Sequence, residues 1–303
     1  MKLAGEKSGQ SDSPAASLGD QLAAANRVVR GAPAILHYLV SAEGHDLFSE
    51  ELVARTRGLL ASLALVILRT GADRVSRSRA AALVDALAAE PALLAHCHAL
   101  ALEGQLMARL AEPGGVDSVV PPLVQAAIAS SDADRAAGAM RLLAAQARFA
   151  QAQLRMELPP SELPADLLHA ALQTFVDLEG ASGLPVCDTI RAGFDEGLGR
   201  QGLIGNFILG IDGGLLACLD PGQAGVSVFA TALALATGHG RDAIVQTMSE
   251  GQKTRLALTL LGAGLGLPQT EHVLAVIHPD GILPEMAGLT REDALNLLTG
   301  DGA

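Results

Sequence analysis

Three arginines recur at intervals of seven, Arg141, Arg148 and Arg155, with Gln151 between the last two. On a helix this spacing returns the side chains to nearly one face, with a rise of about 10 Å per interval. A second group, Arg55, Arg57, Arg69, Arg74, Arg77 and Arg79, concentrates positive charge around one predicted helix–turn–helix. Guanidinium groups recognise carboxylates and phosphates through paired N–H donors. Both groups therefore suit an acidic or phosphorylated protein partner, although a row of arginines also serves as an ordinary solvated face. Arg141, Arg148, Arg155, Arg74 and Arg77 are the candidate partner-binding residues.

Other chemistry has weaker support. His96-Cys97-His98 has ligand-type residues, but on a helix positions two apart point to different sides, so one ion cannot take both imidazoles. No Cys or carboxylate pair elsewhere has zinc spacing, and no metal or cofactor is expected. A histidine-phosphotransfer role would use His98 or His96 within a helical hairpin. The acidic residue that usually follows a phosphorylated histidine is replaced by Ala99 and Cys97. Gly197-Leu198-Gly199-Arg200-Gln201-Gly202 matches the dinucleotide-binding fingerprint letter for letter. That fingerprint requires a preceding strand, and Thr189–Glu196 reads as helical, so the glycines are expected to form a helix C-cap and a turn. Glycines 205, 210, 213 and 214 extend the unusual stretch and imply either close helix crossings or a bent, ligand-admitting segment. The sequence has no Gly-x-Ser-x-Gly elbow, P-loop or His-Glu-x-x-His.

The elements that must hold these residues are helices. The 303 residues include no Trp, one Tyr (Tyr38) and six Phe, yet 50% are apolar. A core without rings has to be built from Ala and Leu, which are also the strongest helix formers. The net charge of -12 disfavours generic binding to nucleic acid or anionic membranes. Cys97, Cys187 and Cys218 are too few and too scattered for a disulfide framework, which suits a reducing cytoplasm. The longest clean apolar run, Gly58–Leu68, lies between Arg57 and Arg69 and is too short for a bilayer span of ~20 residues. A soluble, cytoplasmic protein is expected.

Residues 1–19 read as a disordered tail. Ser49 is the expected N-cap of a helix through Leu68, closed by Thr70-Gly71. A second helix is expected from Asp73 to Glu90 and a third from Pro91 to Ala111, completing an N-terminal helical subdomain over 20–111. Glu112–Pro122, with three prolines and two glycines, reads as a linker. A C-terminal domain over 123–303 then carries helices in pairs: Pro122–Ser130 with Asp132–Met156, Ala165–Glu179 with Cys187–Arg200, Val226–Thr237 with Arg241–Glu250, and Lys253–Gly262 with Gln269–Ile277. A capping box at Thr290 and Asp293 opens the final helix. Units of about 40 residues fit a HEAT-like, right-handed stack of helix pairs. Within Asp132–Met156, the positions Met140, Leu143, Ala147, Ala150 and Leu154 form the expected inward stripe, which would project the arginine row outward.

From Val228 to Asp280 the chain resembles an uncharacterised family of alphaproteobacterial helical proteins, known only as a numbered domain of unknown function. The matching residues are Phe229, Ala232-Leu233-Ala234, Gly238, Arg241, Arg255-Leu256, Ala263-Gly264-Leu265 and His278-Pro279-Asp280. Ser76–Ala80 and Arg155–Leu158 are similar to the same group. The resemblance implies a helical fold and a bacterial cytoplasm, and assigns no catalytic residue. The expected function is a non-enzymatic protein–protein interaction scaffold or regulatory adaptor, with a ligand-sensing or phosphotransfer helical protein as the alternative.

Overall fold

A computed structural model describes residues 18–23, 25–27, 49–72, 74–249, 251–279, 286 and 288–300, apart from the side chains of 112–114 and 300. The described residues are all-α and contain no strand. The chain forms two compact units, Val29–Ser249 and the paired segments Met1–Val28 and Glu250–Ala303. No single helix among the described residues is long and apolar enough to cross a membrane.

The larger unit holds α1 (Glu50–Gly71), α2 (Arg77–Ala88), α3 (Pro91–Gly114), α4 (Pro122–Ile128), α5 (Ala133–Arg155), α6 (Ala165–Glu179), α7 (Leu184–Ala192), α8 (Arg200–Gly210), α9 (Gly214–Ala217), α10 (Pro221–Thr237) and α11 (Arg241–Thr247). The Ser49 hydroxyl accepts the Leu52 N–H at 3.2 Å, and Glu50 and Glu51 lie at the positive end of the α1 dipole. Pro91 occupies the first turn of α3, where its missing N–H has no cost. Every residue from His96 to Leu102 is buried, so this stretch of α3 is enclosed on all sides. Cys97 lies in this stretch, and burial raises its thiol pKa, leaving the group protonated and inert.

Helices α1, α2, α5, α6, α10 and α11 all pack on α3. In a helix-pair stack each unit touches only its neighbours. Here α11 reaches α3 across more than 120 intervening residues, so packing in this unit centres on one helix and departs from the expected ladder. The expected linker at 112–122 also lies inside this unit. α3 continues through Gly114, Val116 is buried, and the Ser118 hydroxyl accepts the Val226 N–H at 3.3 Å. That contact needs Gly225, whose φ of +73° kinks α10 and whose Cβ, if present, would come within 3.0 Å of the Ser118 Cα.

The smaller unit packs α12 (Lys253–Gly262), α13 (Leu267–Ile277) and α14 (Arg291–Gly300) with helical residues 18–23 and 25–27. Gln252 Nε2 donates to the Ala25 carbonyl at 3.1 Å, and Thr254 donates to Gln21 Oε1 at 2.7 Å. The expected tail therefore ends sooner: residues 1–17 lie outside the described residues, but Leu18 is helical and buried. Thr290 and Asp293 form the expected reciprocal cap.

Candidate functional site

The polar chemistry inside the larger unit gathers on Arg200. Its side chain is fully buried, with Nε 2.7 Å from Glu162 Oε2 and Nη1 2.8 Å from Glu103 Oε1. Arg241 also donates to both oxygens of Glu103, at 2.9 and 2.7 Å. The Phe149 ring lies 3.5 Å from the Arg200 guanidinium carbon, a cation–π contact that completes the enclosure. Burial alone would raise the Glu103 carboxyl pKa, but Arg200 and Arg241 outweigh it and hold the group well below the usual carboxylate range. Ser227 donates to Glu103 Oε1 at 2.5 Å, yet a carboxylate so strongly held as an anion is a poor base for activating that hydroxyl. Two carboxylates and two guanidiniums cancel here, and the cluster clamps α3, α8, α10 and α11 together.

Glycines make the clamp possible. Gly199 is the N-cap of α8, and a Cβ there would lie 2.7 Å from the Ser161 carbonyl oxygen. A Cβ at Gly202 would lie 2.6 Å from the Glu196 carbonyl oxygen. The fingerprint-like glycines thus let the 160–162 and 196–198 turns close over the start of α8, bringing Arg200 onto Glu162. Gly199 caps the start of α8, which corrects the expected cap at the end of the preceding helix: α7 stops at Ala192, before any of these glycines.

A second polar region is open. One stripe of α1 receives the end of α5. Arg55 Nη1 donates to the Gln153 carbonyl at 3.2 Å, and the Leu158 N–H donates to the Ser62 hydroxyl at 3.0 Å. Between them Gly58 seats Met156, since a Cβ would approach the Met156 sulfur to 2.7 Å. Met156 itself is left-handed at φ +54°, the only non-glycine residue with positive φ among the described residues. A groove of about 970 Å³ runs alongside this junction between α1 and α5. Leu65, Val66 and Ala147 form its half-buried apolar floor, and Arg69, Arg148 and Arg155 stand exposed around it. None of these three guanidiniums has an ion-pair partner among the described residues, and Glu157 is the only carboxylate in the lining.

The expected site residues divide accordingly. Arg148 and Arg155 face the groove with Gln151, and Arg69 joins them from the other helix. Arg141 is exposed but lines a separate hollow near Arg135 and Asp132. Arg74, in the segment before α2, and Arg77, its first residue, are exposed and away from the groove lining. His98 is buried, neither ring nitrogen has a hydrogen-bond partner among the described residues, and burial pushes its pKa down to about 4. A phosphoryl donor cannot reach it, which corrects its assignment as the phosphotransfer candidate. His96 points elsewhere, its Nδ1 2.8 Å from Asp242 Oδ2. No group of three or more His, Cys, Asp or Glu is placed to hold a metal among the described residues.

The expected inward stripe of α5 is also corrected. Met140 is 51% exposed and Leu154 72%, whereas Ala139, Leu142, Gln146, Phe149 and Gln153 are buried. The true stripe is rotated by one residue. Two glutamines lie on the core side, Phe149 between them stacks on Arg200, and apolar spacing alone gives glutamine to solvent. The residues missed were Glu103, Glu162 and Arg200; the one signal was Arg200 inside a run of glycines too crowded to be an open loop. Comparison of the chain with protein-family models, curated proteins and solved structures finds no match.

Proposed function

We propose that the protein is a non-enzymatic interaction scaffold or regulatory adaptor of the bacterial cytoplasm, holding an acidic segment of a protein partner in the groove between α1 and α5. The observation that carries this reading is the trio Arg69, Arg148 and Arg155, without ion-pair partners among the described residues, around an apolar floor on a chain of net charge -12. A carboxylate-bearing helix or strand would bury its apolar side on Leu65, Val66 and Ala147 while its acidic residues take the guanidinium donors. The overall negative charge repels acidic partners at long range, so recognition is local and weakens with salt over the ~8 Å screening length.

The reading is tested by placing a photoreactive amino acid at Gln151 in the native host, with Asp188 on α7 as the control position. One acidic partner crosslinked from Gln151 and absent from Asp188 supports it. Changing Arg69, Arg148 and Arg155 together to Gln should abolish that crosslink while the protein stays folded. The same crosslink retained in the triple variant rejects the groove.

A further inference from the structure

We infer a second, independent site: a cavity on the other side of α5 that binds a small apolar molecule bearing one uncharged hydrogen-bonding head group. The cavity, about 410 Å³, lies between α3, α5 and residues 115–119. This volume falls within the range of small-molecule pockets. Met107, Ala111, Val116, Val119, Ala150 and Leu154 make its lining mostly apolar.

The polar groups in the lining identify the head group. Arg55 is engaged with Glu51 and the Gln153 carbonyl. The Asp117 carboxylate accepts the Val119 and Val120 N–H groups at 2.9 and 2.8 Å. The Ser118 hydroxyl accepts from Val226. Gln153 differs. It is 5% exposed, yet its side-chain amide makes no hydrogen bond among the described residues. Bare Gly104 leaves room for it, since a Cβ would come within 2.9 Å of Gln153 Oε1. With no protein partner among the described residues, the amide is left to solvent on the cavity side, and a hydroxyl or carbonyl group entering the cavity can replace that water on it. With the only lining cation already paired and Asp117 nearby, a charged carboxylate head would lack a counterion. An uncharged head therefore fits best.

The experiment uses the full chain with 13C-labelled methionine methyls, titrated with 1-octanol as the probe and read by NMR. The Met107 methyl should shift saturably, while the Met248 methyl, buried away from the cavity, stays put. Gln153→Leu should bind 1-octanol about tenfold more weakly, equivalent to ~1.4 kcal/mol. Octanoate at pH 7 should bind the unaltered protein more weakly than 1-octanol. Ala108→Phe should block the cavity without unfolding the protein, because Ala108 lies exposed at the mouth. The triple change of Arg69, Arg148 and Arg155 to Gln should leave 1-octanol affinity unchanged, which separates this site from the groove. Absence of a saturable Met107 shift, equal affinity in Gln153→Leu, tighter binding of octanoate, or loss of 1-octanol binding in the triple-arginine variant would each overturn the inference.

Discussion

Arginine does opposite jobs in two regions of the larger unit. Arg200 is dehydrated and held by Glu103 and Glu162, with an aromatic face against it. Arg69, Arg148 and Arg155 are hydrated and lack carboxylate partners among the described residues. The first arrangement uses charge and its hydrogen bonds to fix α3, α8, α10, α11 and the 160–162 turn, and leaves nothing over for a ligand. The second contributes little to folding and keeps its donors available. Arginine content is therefore a poor guide to binding; the useful guide is whether each guanidinium already has its carboxylate.

The largest effect should come from breaking the buried side of this contrast. Arg200→Met leaves Glu103 and Glu162 buried with reduced compensation and should cost about 3–5 kcal/mol in denaturant unfolding. Arg148→Met should stay within ~0.5 kcal/mol. Similar losses for the two variants would erase the distinction.

A pH titration of stability separates the cluster from its neighbour on α3. His98 has a folded pKa of about 4, below the unfolded value of 6.5, so the unfolded chain binds the extra proton between them. Stability should accordingly fall as pH drops from about 6.5 toward 4, by on the order of 3 kcal/mol. Glu103, depressed in the folded state, contributes stability that is lost only as pH falls below the ordinary carboxylate range. His98→Leu should flatten the 6.5–4.5 portion of the curve and leave the more acidic limb in place.

Two glycines of α8 give a smaller effect with opposite signs. Gly202→Ala drives a Cβ into the Glu196 carbonyl and should destabilise by about 1–3 kcal/mol. Gly205, with nothing within 4 Å of the added carbon, should gain up to ~1 kcal/mol on change to Ala. Thermal melts of the two variants should move apart. The smallest effect on folding belongs to the triple change of Arg69, Arg148 and Arg155 to Gln, whose melt should overlay the parent while partner binding is lost.

Much of the helical layout is legible in the sequence because it depends on local chemistry. Ser49, Pro91 and the Thr290–Asp293 pair mark helix starts at the positions found. Ala165–Glu179 and Lys253–Gly262 match to the residue. What local chemistry cannot carry is pairing across the chain. Glu103 and Arg241 are 138 positions apart, and nothing near either one names the other. The rotated stripe on α5 has the same origin: Gln146 and Gln153 look like surface residues until Arg200 draws Phe149 inward between them. Arg148 and Arg155 were legible as a pair, but Arg69 joins them only because Gly58, Ser62 and Arg55 dock the end of α5 on α1.

The long span of the Glu103 clamp also sets a timetable for synthesis. At ~5–20 residues per second, roughly 7–28 s separate the emergence of Glu103 from that of Arg241. Over the first 97 residues of that stretch Glu103 has neither arginine, and until α11 emerges α3 keeps its apolar surface uncovered on the α11 side. Nascent chains ending before Arg241 should remain sensitive to protease across α3, and protection should arrive in one step once α11 clears the exit tunnel. The larger unit therefore folds after most of its sequence has been made, and the helix at its centre depends on whatever shields apolar nascent chain in the meantime.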